Sequence, residues 1–144
     1  MTKVDFYLLG DDAQAGHGVR ERLACRLVEK AFRLGHRVYL LAPDKPSAVE
    51  LDDLLWTFSQ GSFVPHALWD GADPNSHPVW VGHEEPPAEL NDVLVSLSPA
   101  VPGWFSRFAR VAEPVGADET GKAEARERYR YYRERGVPLD THNL

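Results

Sequence analysis

Three consecutive segments at the start of the chain constrain its fold more than anything else in it. "VDFYLL" (4 to 9) is a short β-rich run with no helical period, and it breaks at Gly10-Asp11-Asp12. "VRERLACRLVEKAFRLG" follows, with Val19, Leu23, Leu27, Val28, Ala31 and Leu34 recurring at three and four and charges on the other face. That period predicts an amphipathic helix of about four turns, stopped at Gly35. "HRVYLLA" (36 to 42) then reads as a buried strand. Strand, helix and strand in that order predict a βαβ unit with parallel pairing, since parallel strands need a crossover of this length.

The same alternation continues. "SAVELDDLLWTF" (47 to 58) is a second helix, with Ser47 placed as N-cap and Glu50 at the capping-box spacing. After "SFVPHALWD" the chain is loop-like through "GADPNSHP", then offers "VWVG" and "DVLVSLS" as strands, "WFSRFA" as a short helix and "RVAEPVG" as a last strand. A final helix starts near Asp118 or Thr120 and ends at Gly136, with Pro138 beyond it, leaving 137 to 144 as a C-terminal tail. With 144 residues, one domain spanning 1 to 144 is expected. Its class is α/β, with a mostly parallel sheet flanked by helices.

No apolar run approaches the twenty or so residues that span a bilayer, so a soluble chain without membrane contact is expected. "MTKVDFYLLGDD" runs too quickly into aspartate to read as a secretory leader, and a cytoplasmic location follows. Cys25 is the sole cysteine, which excludes an internal disulfide and a multi-cysteine zinc site and suggests a small core residue. The loop after the first strand, "GDDAQAGHG", lacks the lysine and hydroxyl of a phosphate loop and the glycine spacing of a dinucleotide fingerprint. Asp11 and Asp12 would also repel a phosphate there. The six histidines are scattered, with no pair at helical ligand spacing, so no metal and no cofactor is expected. Asp11, Asp12 and His17 define the enzymatic alternative, a small metal-dependent phosphohydrolase.

Net charge is -6, but its distribution is uneven: Val38 to Ser106 holds ten acids and one base, whereas Lys122 to Arg135 holds six bases and three acids. On a wheel of about 100° per residue with Lys122 at zero, Tyr129, Arg133, Arg126 and Arg130 fall at roughly -20°, 20°, 40° and 80°. Glu124, Glu127 and Glu134 lie outside that stripe. Ala125 and Tyr132, at about 280° to 300°, mark the seam against the body of the domain. A cationic stripe with Tyr129 at its border suits a compact anion that also has an apolar part. Tyr129, Tyr131 and Tyr132 interleaved with arginine also fit a direct single-stranded nucleic-acid binder, although the acidity of the rest predicts little DNA binding.

These residues resemble a known family. "VDFYLL", "KAFRLGHRVYLLA", "LDDLLWTFSQGSFVPHAL", "DVLVSLS" and "ARERYRYYRERGVPL" succeed one another as in the chi-subunit family of bacterial DNA polymerase III. The most specific parts are W-x(6)-F-x-P-H at Trp56, Phe63, Pro65 and His66, and A-R-E-R-Y at 125 to 129; residues 69 to 90 match poorly. The resemblance implies a nucleotide-binding-like α/β topology without a phosphate-binding loop, and a noncatalytic accessory subunit acting in DNA replication. It implies a heterodimer with the psi subunit, and through psi a place in the clamp loader. It also implies binding of the acidic C-terminal tail of single-stranded-DNA-binding protein, which ends in Pro-Phe. Lys122, Arg126 and Tyr129 match the family's tail-binding positions; Arg130 and Arg133 join them from the wheel. Trp56 and Phe63 match the psi-facing positions, and Val64 and Pro65 join them as neighbours of Phe63 on the same segment. An accessory helicase competes for that surface in some members.

Overall fold

The computed structural model describes residues 1–10 and 18–144. Among the described residues the elements are, in chain order, β1 (Lys3–Leu8), α1 (Val19–Arg33), β2 (Val38–Leu41), α2 (Lys45–Thr57), β3 (His66–Leu68), β4 (Val79–Gly82), β5 (Val93–Ser96), β6 (Arg110–Val115), α3 (Glu119–Glu134) and β7 (Leu139–Asn143), with a 3-10 turn at Phe105–Arg107 before β6. The seven strands form one open sheet in the order β3-β4-β2-β5-β6-β1-β7. Every neighbouring pair is parallel. The expected α/β class is therefore present, with the sheet wholly rather than mostly parallel.

Two expectations about connectivity are corrected. β1 and β2 lie in one parallel sheet but do not pair, because β5 and β6 stand between them. The segment 137 to 144 is not merely a tail, since Leu139–Asn143 forms edge strand β7 alongside β1, in register from Val4 with Leu139 to Leu8 with Asn143. "LDTHN" has neither apolar alternation nor β-branched density, so its strand character comes from the backbone hydrogen bonds that β1 offers.

Local signals hold with small shifts. The N-cap of α2 is Asp44 and not Ser47: the Asp44 carboxylate accepts from the Ser47 backbone N–H at 2.8 Å, and Pro46 occupies the first turn. Proline has no N–H to lose there. Hydrogen bonds from the Ser47 side chain and then from its backbone N–H hold the exposed Asp44 carboxyl below its ordinary value. Leu34, expected on the apolar face of α1, is its C-cap and lies exposed, while Gly35 takes the left-handed backbone (φ 89°) that ends the helix.

Strand alternation sorts the core onto two faces. One face carries Val38, Leu40, Val79, Val81, Val93 and Val95 under α1 and α2, with Leu23 and Cys25 of α1 buried as well. Burial pushes the Cys25 thiol up to about 12, so it is an inert core residue, as expected. The other face carries Val4, Phe6, Tyr39, Trp80, Leu94, Val111 and Val115 under α3 and the 3-10 turn.

Candidate functional site: a basic-rimmed pocket under α3

α3 begins where its sequence says. Asp118 caps it, its carboxylate accepting from the Gly121 N–H at 2.9 Å, and Gly136 follows its end at φ 71°. The buried seam is Ala125, Arg128 and Tyr132. Ala125 and Tyr132 were legible from the wheel; Arg128 was not. Its Nε donates to Glu113 Oε1 at 2.7 Å, the Tyr132 hydroxyl donates to Glu113 Oε2 at 2.7 Å, and Arg128 Nη1 donates to the Pro99 carbonyl at 3.0 Å. Glu113 is fully buried and Arg128 is 4% exposed. Burial pushes the Glu113 carboxyl upward, against the pull of Arg128 and the Tyr132 hydroxyl; the phenol of Tyr132 is raised by burial and then by the Glu113 charge. This network fixes the rotation of α3 against β6, because every member must keep its partner in a water-free site.

With the rotation fixed, Tyr129 lies at the edge of the seam, 37% exposed, its ring 5.5 Å from that of Phe6. Phe6 and Leu8 of β1, Val115 of β6, and Ala125 and Tyr129 of α3 enclose an apolar cavity of about 360 Å³ with Lys122 and Arg126 at its rim. Thr141 and Asn143 of β7 also line it. The cavity opens at the carboxyl ends of β1, β6 and β7, the usual location of ligands in open parallel sheets. Lys122 is paired loosely with Glu119 at 4.0 Å. Arg126 is exposed and makes no ion pair among the described residues.

The structure thus brings Lys122, Arg126 and Tyr129 together. Arg130 and Arg133 do not line the cavity. Arg130 is exposed and pairs with Glu127 at 3.3 Å, and Arg133 faces solvent. The reason is translation along the helix: from Arg126 to Arg133 the axis advances about 10 Å, past the strand ends that form the cavity floor. The reading of α3 as a platform of interleaved tyrosines is also corrected. Tyr132 is fully buried, and Tyr131 packs on Phe105 beneath the Arg135 guanidinium, 3.4 Å from its ring centroid. Phe6, Leu8, Thr141 and Asn143 were missed; the alternation of β1 could have placed the first two on the α3 face, but nothing in "LDTHN" signals a cavity wall.

The other sequence-derived surface lies at the β3 edge. Trp56, near the end of α2, is 47% exposed and Phe63 is 66% exposed, with ring centroids 5.7 Å apart. Trp56 also covers His66 at 4.1 Å. His66 is buried, its Nδ1 2.6 Å from the Val64 carbonyl and its Nε2 2.8 Å from the Asp52 carbonyl, so it ties the loop before β3 to α2. Val64 is completely buried in the core. Its side chain holds the loop down and presents nothing outward, so the exposed groups of this segment are Phe63 and, in part, Pro65.

Asp11, Asp12 and His17 lie outside the described residues. Among the described residues no cluster of three or more His, Cys, Asp or Glu side chains could hold a metal, and no helix is long and apolar enough to cross a membrane.

Fold and site together define an open, all-parallel α/β domain with an apolar cavity lined in part by the cations Lys122 and Arg126. The family model described as "DNA polymerase III chi subunit, HolC" matches residues 1–140, and the chain belongs to that family. It is 41% identical to the DNA polymerase III subunit chi of Pseudomonas aeruginosa over 144 residues, all of this chain and 98% of that protein. Against the subunit of the same name from Escherichia coli the identity is 32% over 143 residues, 98% of this chain and 97% of that one. The Haemophilus influenzae subunit is 30% identical over 142 residues, 96% and 95% of the two chains.

Proposed function

We propose that this chi-family chain is a noncatalytic adaptor of the replication machinery, with psi on its β3 edge and the acidic C-terminal tail of single-stranded-DNA-binding protein in the cavity under α3. The observation that carries the reading is the convergence of Lys122, Arg126 and Tyr129 on one apolar cavity. A peptide ending in Pro-Phe offers matching chemistry. Its ring would sit between Phe6, Leu8 and Tyr129, where burial contributes roughly 1.5 to 3 kcal/mol. Its terminal and side-chain carboxylates would meet Lys122 and Arg126, each charge-assisted bond contributing about 1.5 to 3 kcal/mol. Those terms come to about 4.5 to 9 kcal/mol before the cost of association, which suits a weak, exchangeable complex.

At the β3 edge, two large exposed rings beside a proline fit the anchors of a protein interface better than an isolated surface. β3 and β1, the middle strand of the cavity floor, are five strand spacings apart in the sheet order, roughly 24 Å, so psi and the tail can be held at once and the clamp loader joined to coated single-stranded DNA.

Titration of the tail peptide by calorimetry tests the first half. Binding is expected at low salt, weakening as salt rises, and nearly abolished by Arg126→Ala or by removal of the final Phe. A wild-type protein that ignores the peptide at low salt would sink the reading.

A further inference from the structure

Residues 18 to 37 hold six bases and two acids, in a chain whose net charge is -6. α1 places four of them on one line. Taking about 100° per residue from Arg22, Arg26 falls near 40°, Lys30 near 80° and Arg33 near 20°, on the side away from the buried Ala24 and Val28 at about 200° and 240°. All four are exposed. Arg33 pairs with Glu29 at 3.5 Å, and Glu29 also accepts from the Ser62 hydroxyl. Arg22, Arg26 and Lys30 make no ion pair among the described residues.

Beside Lys30 the same side of the sheet continues past α1 onto β6, β1 and β7. A shallow cleft of about 120 Å³ there is lined by Lys30, Tyr7 and Arg110 among others. Tyr7 stacks on His142 at 4.6 Å and an interplanar angle of 11°, and His142 is 43% exposed. The acids of this patch are already engaged: Asp5 with Arg110 at 2.7 Å and His142 at 3.0 Å, and Asp140 with Lys3 at 2.6 Å.

We infer that the solvent face of α1, through Arg22, Arg26 and Lys30 with the Tyr7–His142 ring pair beside them, is a track for the phosphate backbone of single-stranded nucleic acid. A row of uncommitted cations next to an accessible aromatic stack is the arrangement such strands use, cations following the backbone and rings receiving base faces. An acidic peptide would use the cations but leave the rings idle. The track lies across the sheet from the α3 cavity, on the α1 face, so it neither overlaps the tail site nor depends on it. From Arg22 to Arg33 the helix advances about 16 Å, room for only a few phosphates, so the contact is weak and salt-sensitive.

Fluorescence anisotropy of labelled oligo-dT with the full chain tests this. Binding is expected at low salt, with log affinity falling against log salt at a slope of about -2 to -3, the release expected from three or four single-strand phosphates. The double variant Arg26→Glu, Lys30→Glu should weaken it at least about tenfold while circular dichroism stays unchanged. Tyr7→Ala should weaken it a few-fold, and Arg126→Glu, on the other face, should leave it within about twofold. The proposal is overturned if the wild type does not bind oligo-dT at low salt, if Arg126→Glu rather than the α1 double variant abolishes binding, or if duplex DNA or polyglutamate of equal charge competes as well as oligo-dT.

Discussion

At the β3 edge the exposed groups are the uncharged rings of Trp56 and Phe63, propped up by the buried His66 and Val64, whereas under α3 a ring is sunk into the floor and cations stand at the rim. The first surface protrudes and the second is concave. A protruding apolar pair gains most when a whole partner excludes water around it, which suits a durable interface with a folded or folding subunit. A cavity for one ring with an arginine beside it suits a short peptide held by its end, released and recaptured as salt and competition dictate. One all-parallel sheet thus carries a protruding apolar surface and a basic-rimmed cavity near opposite edges.

The strongest way to break that separation is to unlock α3. Arg128→Ala leaves Glu113 buried without its cation, which should cost about 3 to 5 kcal/mol of stability in chemical denaturation. In the fraction that stays folded it should also blunt tail-peptide binding by freeing the helix to rotate. If peptide affinity is unchanged, the network is not what positions the cavity.

Phe63→Ala sharpens the contrast next. It should weaken psi capture by about 2 kcal/mol or more, roughly thirtyfold, as loss of an interface anchor does, and leave peptide titration untouched. Tyr129→Ala should do the reverse at about 1 to 2 kcal/mol, by removing one wall of the ring cavity. A variant that damages both readouts would mean that the two surfaces are coupled.

Arg130→Ala and Arg133→Ala, which lie beyond the cavity, should change peptide affinity by less than about 0.5 kcal/mol, through long-range attraction alone. Larger losses would extend the site along α3.

The smallest effect concerns neither surface. Burial alone would raise the Asp5 carboxyl, but hydrogen bonds from Arg110 and His142 outweigh it and hold the group below its ordinary value. A carboxyl depressed in the folded state contributes stability above its unfolded value, lost as pH falls through the folded one. Melting curves across acidic pH should therefore slope less steeply in Asp5→Asn than in the wild type, with both partner-binding assays unaffected at neutral pH.

What could be seen without coordinates was whatever depends on near neighbours in the chain. The period of α1, the cap and stop of α3, the apolar runs of β1, β2, β4 and β5, and the Ala125–Tyr132 seam each follow from residues within one or two turns, where backbone geometry alone dictates which side chains share a face. The family pattern added Lys122, Arg126 and Tyr129 as a group. Tertiary structure decided the rest, because the deciding partner is remote in sequence. Arg128 looks like any other arginine of its run until Glu113, fifteen residues earlier, is found beneath it. Likewise 139 to 143 becomes a strand only because β1 has a free edge, and the cavity exists only where α3 passes over the ends of β1, β6 and β7. The energy of a buried charge or an unpaired strand edge is set by what lies across the gap, and local sequence does not encode that.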